Sequence, residues 1–398
     1  MDLSETPAES SFRASVREAL TSLVDHWPAP PGGRFDSLAD EVAWGREWQR
    51  RLASERLVGV AWPAEYGGRG AGPIEHFIVQ EELARARAPE LVGRIGVNLA
   101  GPTLLQWGTP EQQARWLPSI LAADVIVCQL FSEPGAGSDL ASVSTRAEAA
   151  VVDGVDGWVL NGQKVWTSYA QFADWGVCLA RTDPAASPRH RGISYLVVDM
   201  HAPGVEVRPL RQLTDEAEFN EVFFSDVFVP SDCLVGAVNE GWRVANATLT
   251  HERGTNPRQL VIHIQLLEEL LSLGADGATS AFDDDRLRRR LADAYVEVKL
   301  FQLANLRSLS ALSAGREPGR VGSSLKLYWS EMSKRLHDTA MAVVGPSASP
   351  LWRGADGNPG DGRWQRSWLY YQASSIWAGT NEIQRNVLAE RVLGLPRE

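Results

Sequence analysis

At about residue 124 the hydrophobic period of this chain changes, and at about residue 236 it changes back. A 3.6-residue period buries one stripe of a helix, whereas a two-residue period buries one face of a strand. Upstream, Phe12, Val16, Leu20 and Leu23 recur at intervals of three and four, which marks one helical face. Trp44, Trp48, Leu52 and Arg56 continue such a face on a second helix. The run Trp62-Pro63-Ala64-Glu65-Tyr66-Gly67-Gly68 interrupts it with Pro and paired Gly. A third helix spans about Gly72 to Arg87, and Thr109 is placed to cap another that opens at Pro110-Glu111-Gln112. In the middle, Trp158-Val159-Leu160, Trp175 to Leu179, Ile193 to Val198 and Glu221 to Phe224 are short β-branched or aromatic runs. Asp153-Gly154, Asn161-Gly162 and Pro203-Gly204 read as turns between them. Beyond Gly241, Leu260, Ile264, Leu267 and Leu271 form one apolar stripe, and Leu287, Leu291, Ala294, Val298 and Phe301 another. Such stripes on long helices suit a bundle. Residues 345–363 read as a loop between helices.

A chain of 398 residues exceeds one compact core. The expected fold is therefore α+β and multidomain. It has an N-terminal helical domain (1–124), a middle β-barrel or sandwich domain (125–235) and a C-terminal four-helix bundle (236–398).

Charge and composition exclude several classes. A net charge of −11 argues against a nucleic-acid binder, which needs a basic face. No run of about 18 apolar residues occurs, so no membrane insertion is expected. The start, Met1-Asp2-Leu3-Ser4-Glu5, is acidic and lacks the apolar core of a secretory signal. Cys128, Cys178 and Cys233 are too widely spaced for a zinc site or a disulfide framework, so no metal is expected and the compartment is read as cytoplasmic.

Two segments carry the chemistry. The first is Leu130-Phe131-Ser132-Glu133-Pro134-Gly135-Ala136-Gly137-Ser138-Asp139, and the second is Lys164-Val165-Trp166-Thr167-Ser168. Glycines admit close backbone approach, hydroxyls offer donors and acceptors without bulk, and Trp offers a flat face. Together they suit a planar ligand with polar edges. At these residues the chain resembles the acyl-CoA dehydrogenase family, and the resemblance extends over nearly its whole length. It implies FAD as cofactor. Phe131 and Ser132 would meet the flavin pyrimidine edge. Gly137 and Ser138 would lie near the ribityl-diphosphate and the CoA thioester arm, making Ser138 a substrate contact too. Trp166 and Thr167 would flank the ring, Ser168 would reach N5, and Thr380 and Glu382 would contact the cofactor from the C-terminal segment.

The resemblance also implies a reaction. A base removes the α-proton of an acyl thioester, and a β-hydride passes to flavin N5, giving a trans-2-enoyl-CoA. The base must be a carboxylate in a dry site, and the thioester oxygen needs donors. Many relatives carry the base as Glu in a C-terminal Glu-Gly-Thr. Here that segment reads Ile376-Trp377-Ala378-Gly379-Thr380, and Ala378 cannot take a proton. A branch similar to isovaleryl-CoA dehydrogenase and to dehydrogenases of sterol side chains has its base on an earlier helix. Leu249-Thr250-His251-Glu252-Arg253-Gly254 matches that position. Glu252 is thus the expected base, with Arg253 beside the substrate; Glu382 and Glu240 are weaker candidates, and His251 an assistant. The Ala378 amide would serve the thioester oxygen, and its small side chain would leave room for a branched or bulky acyl group.

Two segments that grip a neighbour's FAD in homotetrameric relatives are altered. An Arg-x-x-Phe-Gly is replaced by Ala278-Thr279-Ser280-Ala281-Phe282-Asp283-Asp284-Asp285, and a Gln-x-x-Gly-Gly by Ala342-Val343-Val344-Gly345-Pro346. The expectation is an α2β2 assembly with a paralogous subunit, a homotetramer being the other possibility. Electrons would leave to an electron-transfer flavoprotein. An oxygen-reactive oxidase or monooxygenase of the same fold, and a non-catalytic partner subunit, are the competing readings.

Overall fold

The computed structural model describes residues 5–28, 35, 37–252, 257–275, 281–315, 321–345 and 362–396, with 251, 252 and 321 described by backbone alone. The helices, in chain order, begin with α1 (Pro7–Asp25), α2 (Leu38–Ser54), α3 (Pro73–Arg85), α4 (Gly101–Trp107) and α5 (Pro110–Leu121). The strands follow as β1 (Val127–Leu130), β2 (Arg146–Val152), β3 (Val155–Ser168), β4 (Trp175–Arg181), β5 (Ile193–Asp199), β6 (Val205–Leu210), β7 (Phe219–Pro230) and β8 (Leu234–Val235). Helices resume with α6 (Gly241–Glu252), α7 (Pro257–Ala275), α8 (Asp285–Ser313), α9 (Val321–Val344), α10 (Arg363–Tyr371) and α11 (Asn381–Val387). The chain divides into two compact units. One holds Ala14–Gly72 and Ala88–Glu252; the other holds Met1–Arg13, Pro73–Arg87 and Arg253–Glu398.

The first unit is built on one eight-stranded sheet in the order β6-β7-β3-β2-β4-β5-β8, with β1 parallel to β4. Asp153-Gly154 makes the β2–β3 hairpin, both residues having positive φ (51° and 79°), as a two-residue turn requires. Asn161-Gly162, expected as a turn, instead lies inside β3. The register against β7 slips between Leu160 and Gly162, and Gly162 has φ +155°. A Cβ there would meet Thr145 Oγ1 at 2.6 Å, so the glycine marks a bulge and a close approach. Thr109 caps α5 as expected, in a reciprocal capping box with Gln112. Arg56 does not extend the second helix: α2 stops at Ser54 and Arg56 has φ +53° in the following turn.

The second unit is a helical bundle. The stripes foreseen on α7 and α8 bury Leu260, Leu267, Leu291, Val298 and Phe301, and α3 joins the same core through Phe77. A polar seam crosses this core. His263 Nε2 lies 2.7 Å from Ser333 Oγ, and its Nδ1 lies 2.7 Å from Gln259 O. His337 Nδ1 lies 2.7 Å from Ser333 O, and its ring stacks on Tyr371 at 4.5 Å. Burial disfavours the imidazolium and pushes both histidines down to about 4. Their unfolded value is near 6.5, so the unfolded chain binds more protons as acid is added. This part of the stability is complete above about pH 6.5 and is lost as pH falls toward 4, by about 3 kcal/mol per histidine. Urea unfolding at pH 7 and pH 4.5 checks this. His337→Phe should flatten the slope, and an unchanged slope would remove His337 as its source.

Candidate active site

The first quoted segment leaves the end of β1. Glu133 and Ala136 exchange N–H···O bonds of 3.0 Å, which closes a tight turn. Gly137 and Ser138 lie exposed beyond it, and a Cβ built at Gly135 or Gly137 meets nothing within 4 Å. Val165 N donates to Ser132 O at 2.9 Å, so the sheet brings the second segment beside the first. Phe131 is buried edge-on to Tyr195, whereas Ser132 is partly open.

Beneath the turn sits a buried ion pair. Lys164 Nζ lies 2.8 Å from Glu133 Oε1 and also donates to Phe131 O (3.2 Å) and Leu179 O (2.7 Å). Glu133 accepts from Ser144 N (2.6 Å), Ser144 Oγ (2.7 Å) and Thr145 N (2.9 Å). Burial opposes ionisation of Glu133, but the Lys164 charge and these donors outweigh it and hold the carboxyl at about 2.

Trp166 occupies a second bulge, where the β3–β7 register slips between Lys164 and Thr167. Its φ is +61°, the residue is 62% exposed, and its ring lies edge-on to Phe219. A left-handed non-glycine residue costs about 1–2 kcal/mol. Tyr169 repeats the strain at φ +55°. The pair therefore brackets Thr167 and Ser168. The bracket is clamped from elsewhere in the unit. Arg94 stacks over the Tyr169 ring at 5.2 Å and pairs with Glu218 at 2.9 Å, while Tyr169 N donates to Glu218 O at 2.8 Å. Asn220 Nδ2 donates to Thr167 O at 3.0 Å. Thr167 Oγ1 is buried with no hydrogen-bond partner among the described residues. Trp166→Gly is expected to be about 1 kcal/mol more stable than Trp166→Ala, because only glycine relaxes a positive φ. Thermal midpoints of the two variants check the sign.

In the second unit, Ala378 and Gly379 are successive left-handed residues (φ 53° and 80°). Gln384 Nε2 donates to both of their carbonyls, at 3.0 and 3.3 Å. In trans peptides this turns the amides of Gly379 and Thr380 away from Gln384. Thr380 caps α11 by accepting from Ile383 N. Asn381 is buried against Lys326, Ser330 and Glu331. Glu382 is 76% exposed and paired with Arg385. The acidic run before α8 is not a bare anionic patch. Asp284 caps the helix through Arg286 N and Leu287 N, which holds its carboxyl below the usual range. Asp285 pairs with Arg288. Residues 278–280 and Pro346 lie outside the described residues.

The geometry can be set beside known proteins. Three family models match: "Acyl-CoA dehydrogenase, N-terminal domain" over residues 6–124, "middle domain" over 128–227 and "C-terminal domain" over 239–393. The acyl-CoA dehydrogenase IpdE1 of Mycobacterium tuberculosis is 44% identical over 393 residues, covering 97% of this chain and 98% of that one. The chain belongs to the acyl-CoA dehydrogenase family. As an acyl-CoA dehydrogenase it is an oxidoreductase. Two solved relatives share its fold over 100% of both chains at 30% identity: the Tcur3481-Tcur3483 steroid ACAD (TM-score 0.84) and the ChsE4-ChsE5 complex from Mycobacterium tuberculosis (TM-score 0.82).

Within the family's C-terminal match, Glu252 is the last residue of α6, its backbone described and its side chain not; Arg253 lies outside the described residues. Glu240 is 41% exposed and paired with Arg243. Neither Glu240 nor Glu382 has the dry surroundings an acyl-CoA dehydrogenase base needs. The sequence did not point to Lys164 as the partner of Glu133, although both stood in the quoted segments. It gave no hint of Arg94, Glu218 or Asn220, which come from distant parts of the chain. Asn381 and Gln384 had a signal: polar residues three apart on the buried side of a short helix.

Proposed function

We propose that this chain catalyses FAD-dependent α,β-dehydrogenation of a bulky acyl-CoA, with Glu252 as base. The observation that carries the reading is the exposed, strained Trp166 held beside the open Ser132–Ser138 turn. Such strain persists only where the surroundings over-determine it, and it clusters at ligand sites. The open glycines, the exposed Ser138 and the indole face fit a flat cofactor with polar edges. Phe131, Ser132, Gly137, Ser138, Trp166, Thr167 and Ser168 would hold FAD, and the family resemblance adds Thr380 and Glu382 as cofactor contacts. FAD, when bound, supplies the acceptor for the β-hydride.

The remaining work falls to the chain. Glu252 takes the α-proton, and Arg253, the next residue in the chain, is the proposed substrate contact. The Ala378 amide donates to the thioester oxygen. The strained φ at Ala378 and the Gln384 grip on its carbonyl support a fixed backbone there. The methyl side chain of Ala378 supports room for a branched or steroid acyl group, and the steroid ACAD relative favours the steroid. The two-protein names of both solved relatives favour a paralogous partner subunit. An electron-transfer flavoprotein is the proposed acceptor. The three unpaired, buried cysteines favour action in the cytoplasm.

The test is an anaerobic screen of a steroid side-chain acyl-CoA, isovaleryl-CoA and octanoyl-CoA against the flavin-loaded protein, purified alone and with a co-encoded paralogue. Flavin bleaching with an enoyl-CoA product, strongest for the steroid thioester, is expected. Bleaching by none of the three would refute the reading. Rapid oxygen quenching of the reduced flavin would place the chain with the oxidases. Full flavin loading and turnover by the chain alone would refute the need for a partner.

A further inference from the structure

The face of α6 that packs against β5 is tightly constrained. At its start, a Cβ on Gly241 would lie 2.3 Å from Ser194 C and 2.6 Å from Tyr195 N, so the helix backbone rests directly on β5. Val244, Ala245 and Thr248 continue this face and are fully buried. Their spacing of three and four keeps them on one side of the helix. Position 252 is one turn beyond Thr248 on the same side.

The hydroxyl of Thr248 is the only polar group on that buried run. It lies 2.8 Å from Thr103 Oγ1, 3.4 Å from Tyr195 OH and 3.2 Å from Val244 O, one turn back on its own helix. Thr103, on α4, also donates to Leu99 O at 2.8 Å. Leu99 belongs to a π-helical turn, Gly96–Ala100, a local form that recurs at functional sites. The Tyr195 ring meets Phe131 edge-on at 5.9 Å. Three buried hydroxyls thus tie α6 to α4 and β5, and the Tyr195 ring continues the tie to the end of β1.

We propose that the Thr103–Thr248–Tyr195 cluster is a pin that fixes the rotation of α6 and so positions Glu252. The proposal rests on the reading of Glu252 as base. Apolar packing alone holds a helix against a sheet but tolerates small rotations, because dispersion is non-directional. Hydrogen bonds at a single buried site do not. A displacement of about 1 Å at a reacting group can cost about 100-fold in rate. Thr248 and its partners are positioning residues: they act through the helix and touch no substrate.

The experiment compares wild type, Thr248→Val, Thr248→Ser, Tyr195→Phe and Glu252→Gln in the flavin-loaded holoenzyme. The probe is whichever thioester of the three-member panel bleaches the flavin. Steady-state kinetics are read together with exchange of the substrate α-proton into deuterated water and the thermal midpoint. Thr248→Val should lower kcat and α-proton exchange about 10- to 100-fold with KM and flavin content unchanged. Tyr195→Phe should give a smaller loss of the same kind, and Thr248→Ser should restore both rates to within a few-fold. Glu252→Gln inactive with Thr248→Val at the wild-type rate, whatever its midpoint, overturns the pin and leaves the base in place. Glu252→Gln active overturns the base reading and the pin with it. If Thr248→Val fails to fold, a Tyr195→Phe variant with normal exchange overturns the pin.

Discussion

Replacing Glu252 with Gln is expected to slow acyl-CoA oxidation by about 1,000-fold, within the range that a positioned acid–base group contributes. The change keeps volume and removes only the ability to take a proton. Flavin content and thermal midpoint should stay at wild type. Anaerobic stopped-flow bleaching of the flavin measures the step directly. The size of the effect follows from what else the chain offers. Ala378, where many relatives carry the base, has only a methyl group. Glu382 and Glu240 are solvated and held by Arg385 and Arg243. A carboxylate in water beside an arginine is a poor base for a weak carbon acid. A residual rate near wild type would move the base elsewhere, and Glu382→Gln would then be the next variant to measure.

The apolar stripes of the helices were legible because burial of one face imposes them directly on the sequence. Val16, Leu20, Leu267 and Phe301 are buried where the stripes placed them. The misreadings share a cause. Asn161-Gly162 and Arg56 have the composition of a turn and of a helix, but their neighbours decide otherwise. Thr145 crowds Gly162 into a bulge, and α2 is already closed at Ser54. The open side of the candidate site was legible, since hydroxyls, glycines and an indole announce themselves by type. Its supports were not. Arg94 reaches Glu218 across 124 positions, and Thr103 reaches Thr248 across 145. No local spacing encodes a contact of that range. The aspartates before α8 show the converse: read as charge alone they repel an anion, whereas local geometry makes Asp284 a helix cap.

Lys164→Met is expected to cost about 3–5 kcal/mol of stability, the usual penalty for stranding one member of a buried ion pair. Glu133 would keep its donors from Ser144 and Thr145 but lose the cation bonded to it, inside a site where its side chain is 4% exposed. The double variant Lys164→Met/Glu133→Gln should recover much of the loss, because it removes the orphaned charge together with its partner. Urea unfolding at pH 7 reads both. The pH dependence has a definite sign. Glu133 is lowered from 4.5 to about 2 in the folded protein, so its contribution is complete above about pH 4.5 and is lost as pH falls toward 2. Lys164→Met should lose that acid-dependent increment as well as stability at neutral pH. The same lysine holds Phe131 O and Leu179 O, which anchor the exit of β1 and the middle of β4. Flavin affinity should therefore fall in Lys164→Met and stay low in the double variant, since restoring charge balance does not restore those two bonds. If the double variant recovered flavin affinity along with stability, the pair would matter only for its charge and not for the shape of the turn.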